Sequence, residues 1–229
     1  MQNQNFDDNI GVPLFRVLAK VSTFWLLTNI GYYVAFPAAG YRISYNVEPM
    51  ILAGYFLLWA AACVFSFWDL FTKWLEADRH FLFYGVLSFG LSAIVWVLLY
   101  IFSLLPIPKG PLLVPYTDML FATPWYFLPK AAEILVQQVL ITALILSLYF
   151  RFLSLKSAMF GYVVLFGGAH VFLFLLNGAP TEYATVMTLG AIFSTLVFPY
   201  MILRVRGGFV FNYVFHIIFY LCFGIFLRT

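Results

Sequence analysis

From residue 14 to residue 227 the chain is a succession of apolar runs separated by charge clusters, prolines and glycines. Each run is about 20 residues long, the length a helix needs to cross a hydrocarbon layer about 30 Å thick. Of 229 residues, 64% are hydrophobic and only 9% charged. That leaves too little polar surface to cover a soluble domain of this size. The chain therefore reads as all-α, a polytopic transmembrane helix bundle of about seven spans whose first partner is the lipid bilayer.

The breaks place helices at 14–37, 47–72, 80–105, 124–150, 156–177, 181–203 and 207–227. Residues 1–229 form a single transmembrane domain with no internal repeat. The connection from Leu105 to Thr123 carries Pro106, Pro108, Pro111 and Pro115, which forbid a regular helix there and suit a surface segment or a lid. Residues Met1–Pro13 lack the basic start and small-residue cleavage site of a signal peptide, so the first helix is expected to be an uncleaved anchor.

Arg16, Lys20, Lys73, Arg79, Arg151, Lys156, Arg204 and Arg206 fall on one side of this arrangement, against Arg42, Lys109 and Arg228 on the other. Basic residues accumulate on the cytoplasmic side, which predicts a cytoplasmic N-terminus and an outside C-terminus. The net charge of +3 is dispersed over the loops and excludes a nucleic-acid surface. Cys63 and Cys222 lie inside apolar runs and read as core. Aromatic residues near helix ends, such as Tyr32, Tyr33, Trp68, Trp74, Trp125 and Tyr126, suit the headgroup layer. Gly167, Gly168 and Gly190 suit close helix packing.

Ionisable groups at membrane depth are costly and therefore point to function. They are Asp69, Lys130, Glu133, His170 and His216. Asp69 can pair with Lys73 at i,i+4 near the cytoplasmic interface, and Lys130 can snorkel outward while pairing with Glu133. Glu133 is followed by Gln137 one turn later and by Gln138, a polar patch in an otherwise apolar helix. Asn212, His216 and Tyr220 share one face of the last helix. At about 1.5 Å per residue, Glu133 and His170 both fall roughly 10 Å below the outer boundary, with His216 somewhat deeper. A carboxylate and two imidazoles in one cavity are the parts needed to hold and deprotonate a water. The cofactor is not fixed by these residues, but Glu133, His170 and His216 could instead hold zinc with an open position, as His₂Glu sites do.

Across residues 124–225 the chain resembles the CPBP family of CAAX prenyl endopeptidases and bacteriocin-processing enzymes. The family's helical motifs are Glu-Glu-x-x-x-Arg, Phe-x-x-x-His and His-x-x-x-Asn. Here Ala132-Glu133 to Gln137 looks like a weakened first motif, Phe166 to His170 is a full second one, and Arg204 to Tyr220 resembles the approach to the third. Ala132 stands where the family has a Glu that helps activate water, Gln137 stands for Arg, and Tyr220 for Asn. Asn212, one turn before His216, could supply the missing amide.

The resemblance implies an intramembrane endopeptidase that hydrolyses membrane-associated peptides. Glu133, His170 and His216 would be catalytic, supported by Lys130, Gln137, Gln138, Asn212 and Tyr220. The three departures imply an alternative, a proteolytically silent subunit that keeps the bundle and serves a membrane-protein partner in binding, assembly or immunity. A photoreceptor or small transporter is less suited, because the last helix has no lysine for a retinal Schiff base and no paired broken helices suggest inverted repeats.

Overall fold

The computed structural model describes residues 13–76, 124–177 and 181–226. The expected helix 80–105, the proline-rich connection and the basic residues Arg79, Lys109 and Arg228 lie outside them. Every regular element among the described residues is helical. The longer ones, in chain order, are α1 (Leu14–Ile30), α2 (Pro49–Ser66), α3 (Trp68–Glu76), α4 (Phe127–Phe152), α5 (Leu155–Tyr162), α6 (Gly168–Asn177), α7 (Thr181–Arg204) and α8 (Gly208–Phe226). Four stretches among them are long and apolar enough to cross a membrane: Pro49–Ser66, Phe127–Phe152, Leu155–Phe172 and Met187–Arg204.

The expected boundaries hold within a few residues, with one correction. The span predicted over 47–72 ends at Ser66, and Phe67 separates α2 from the short α3. α3 is amphipathic: Leu70 and Phe71 are buried while Trp68, Asp69 and Lys73 are exposed. Only Ser66 and Asp69 interrupt the apolar run through Phe71, too little to mark this break in a hydropathy reading. Two other helices are wound wide in mid-course. α1 continues through a π-turn at Gly31–Ala35, and another at Val163–Gly167 joins α5 to α6.

α4 is the axis of the molecule. Its 26 residues extend about 39 Å, and most are buried because it is apolar on nearly every face. α2 packs along it most extensively, with α1, α5 and α8 around the rest. Lys20 Nζ donates to Ser66 O at 2.8 Å and the Tyr55 hydroxyl to Thr28 O at 2.7 Å, which makes α1 and α2 an antiparallel pair. Tyr45, just before α2, reaches Glu133 near the start of α4, so α2 and α4 run parallel. Leu153 takes the left-handed conformation at φ 52° and Ser154 caps α5 by accepting from Ser157 N. That tight turn folds α5 back along α4. A second turn, with Gly207 at φ 66°, folds α8 back on α7.

Asp69 and Lys73 do not close the expected pair. Among the described residues the salt bridge is Lys130–Glu133, and both Asp69 and Lys73 are exposed, where water competes for them. Two of the six expected interfacial aromatics are core instead: Tyr32 and Tyr126 are buried, while Trp74 is half-buried and Tyr33, Trp68 and Trp125 are exposed. Of the glycines, Gly190 faces the Phe219 ring closely enough to exclude a Cβ, whereas Gly168 has open space beside it.

Candidate functional site

Lys130, Glu133 and Gln137 stand one turn apart on α4 and share a face. Glu133 Oε2 accepts from Lys130 Nζ at 2.6 Å and from the Tyr45 hydroxyl at 2.8 Å, while Oε1 accepts from Gln137 Nε2 at 2.9 Å. The Lys130 ammonium also lies 4.4 Å from the Tyr45 ring centre and 4.8 Å from that of Tyr220, a geometry that adds cation–π attraction. Lys130 was expected to snorkel outward, but it is buried at 3% exposure. Its charge is compensated inside the bundle by a carboxylate and two ring faces, so it has no need of the headgroup layer.

Tyr45 was not legible as a site residue. It sits in the irregular segment between the first helix and α2, is 2% exposed, and packs against Tyr32, Phe56 and Tyr126. Burial and the neighbouring Glu133 carboxylate hold its hydroxyl well above the usual tyrosine range. It therefore stays protonated and donates. The left-handed Glu48, φ 56°, and Pro49 at the first turn of α2 end this segment and set the direction in which the chain leaves it.

His216 on α8 is reached from α4 by the next polar residue: Gln138 Nε2 is 2.9 Å from His216 Nδ1. With the amide donating, Nδ1 accepts and the ring proton resides on Nε2. Tyr220 stacks on the imidazole at 5.4 Å between ring centres, and Phe198 approaches it at 5.9 Å. Tyr220 thus links the histidine to Lys130. His170 lies one turn beyond the π-turn, its Nδ1 2.9 Å from Phe166 O and its ring 4.3 Å from the Phe166 ring. A carbonyl only accepts, so Nδ1 carries the proton.

The expected supporting residues divide accordingly. Lys130 and Gln137 bond the carboxylate, Tyr220 lies between the Lys130 ammonium and the His216 ring, and Gln138 serves His216. Asn212 does not supply an amide to His216 as expected. It is fully buried and donates through Nδ2 to Phe198 O on α7 at 3.1 Å, beside Pro199, which interrupts that helix's own hydrogen bonding. Tyr213, also unforeseen, donates its hydroxyl to Ala131 O at 3.1 Å and fastens α8 to α4.

Among the described residues no three His, Cys, Asp or Glu side chains are placed to hold a metal ion. The zinc arrangement considered for Glu133, His170 and His216 is therefore not formed. The bonds of Glu133 run along its own helix and to the Tyr45 segment, and those of His216 to an amide. Compared with family models, curated proteins and solved structures, the chain has no match in any of the three.

Chemically, the centre is a charge-compensated tie. One carboxylate joins α4 to the segment before α2, one lysine joins α4 to α8 through Tyr220, and one glutamine joins α4 to His216. Bonds of this kind fasten helices in a medium where apolar faces gain little by preferring one another to lipid.

Proposed function

We propose that the chain is a proteolytically silent, CPBP-like membrane subunit that acts through a membrane-protein partner. In this reading the polar residues at the family's catalytic positions hold the helices together. The observation that carries it is the engagement of both Glu133 oxygens by Tyr45, Lys130 and Gln137. A carboxylate that activates water holds that water through its own lone pairs, and Lys130, Tyr45 and Gln137 already donate to those of Glu133. Ala132, buried at 5% exposure, offers only a methyl group where the family's water-activating glutamate stands.

The competing reading, an intramembrane endopeptidase acting on membrane-associated peptides, draws support from the Tyr220 ring, which lies against both the His216 imidazole and the Lys130 ammonium. The test is cleavage of a panel of membrane-anchored peptides by purified protein, beside Glu133→Gln and His170→Ala variants of checked thermal stability. The expected outcome is no cleavage by the folded wild type, with a lower unfolding temperature for Glu133→Gln. Cleavage by the wild type that both variants lose while remaining folded would establish the peptidase instead.

We further propose a seven-span arrangement with the basic end cytoplasmic, the N-terminus inside and the C-terminus outside. A cysteine introduced at Arg206 should be labelled by a membrane-impermeant thiol reagent in inverted vesicles and spared in intact cells. Labelling in intact cells would reverse the orientation.

A further inference from the structure

Buried polar atoms are nearly always bonded, and those that are not call for a missing partner. Gln138 Oε1, Thr142 Oγ1 and Asn212 Oδ1 are buried without a hydrogen-bond partner among the described residues. All three side chains are at most 1% exposed. They are close kin in the fold. Gln138 bonds His216, Thr142 stands one turn from Gln138 on α4, and Asn212 one turn from His216 on α8. Each orphaned oxygen therefore lies within one helical turn of the Gln138–His216 bond.

Thr142 is the telling member. A helical hydroxyl has a cheap solution in a carbonyl of the preceding turn. Thr28, Thr72, Ser147, Ser194 and Thr195 all take it, bonding Phe24 O, Trp68 O, Leu144 O, Ala191 O and Ile192 O. Thr142 forgoes that bond although its side chain cannot reach solvent. Two of the orphans, the amide oxygens, can only accept, and the third can accept and donate. Their common complement is a small molecule that donates two hydrogen bonds and accepts one. No ionised side chain belongs to the group, so a neutral ligand fits it better than an ion.

We infer that the junction of α4 and α8 holds bound water between Gln138, Thr142 and Asn212, a hydrated site inside the membrane-spanning part of the bundle. The water satisfies the three oxygens and stands beside the His216 imidazole. This inference is independent of whether the chain cleaves peptides.

Thr142→Val tests it, because valine keeps the shape and removes only the hydroxyl. If the hydroxyl is bonded to water, the substitution lowers the unfolding temperature in detergent. If the site is dry, removing an unsatisfied buried hydroxyl leaves that temperature unchanged or raises it, which overturns the inference. Water-edited solid-state NMR of the wild type in lipid gives a readout that needs no variant. Magnetisation from water should reach the Thr142 side chain several-fold faster than the side chain of Ile145, buried on the same helix, and equal build-up would likewise overturn the inference.

Discussion

Alanine at position 133 is expected to destabilise the protein by about 3 kcal/mol or more, measured as thermal or denaturant unfolding in detergent micelles. The loss goes beyond the bonds to Tyr45, Lys130 and Gln137. It is dominated by Lys130, which at 3% exposure would be left as an uncompensated buried cation. Two further variants separate that cost from ordinary packing. Combining Lys130→Met with Glu133→Leu removes both charges and should recover most of the stability, because well-packed apolar residues replace a buried pair at little cost. Tyr45→Phe removes one donor but leaves the charges paired, and should cost only about 1 kcal/mol. A double variant as unstable as Glu133→Ala would show that the pair matters for its hydrogen bonds and not for its charge balance.

The second large effect is expected at the α7–α8 turn. A Cβ on Gly208 would overlap the carbonyl of Met201, which is backbone and cannot swing aside as a side-chain tip would. Gly208→Ala should therefore cost about 3 kcal/mol or more by forcing the turn open, and with it the Asn212 and His216 contacts that depend on α8 lying against its neighbours. Gly168→Ala is the control. No atom lies within 4 Å of a Cβ built there, and alanine favours the helix by up to about 1 kcal/mol over glycine. Equal effects at the two positions would show that the close approach to Met201 does not govern the cost at Gly208.

The sites of these two effects differ in how far they could be read ahead of the fold. Glu133 stood out because a charged residue one turn from a glutamine is rare in an apolar helix. Its helical neighbours Lys130 and Gln137 were legible for the same reason, since i,i+3 and i,i+4 partners are fixed by helix geometry. Tyr45 was not, because it lies 88 residues from Glu133 in sequence and sits in an irregular segment with no periodicity to place it. Asn212 was correctly assigned to the His216 face of α8, but which neighbour that face meets depends on how α7 and α8 pack around Pro199. Gly208 likewise gives no sign in sequence that it touches Met201 O.

What the sequence determined by itself is the helical membrane class and most helix boundaries among the described residues. Both follow from local chemistry, the cost of burying backbone groups in hydrocarbon, which acts on each run regardless of its neighbours. Only the tertiary structure decided that Lys130 turns inward, that α3 is separate from α2, that Tyr45 closes over the carboxylate, and that the two histidines and Glu133 do not converge on a metal. Those outcomes depend on which faces of distant helices meet, and between apolar helices in lipid that choice rests on a few hydrogen bonds and close contacts that hydropathy does not encode.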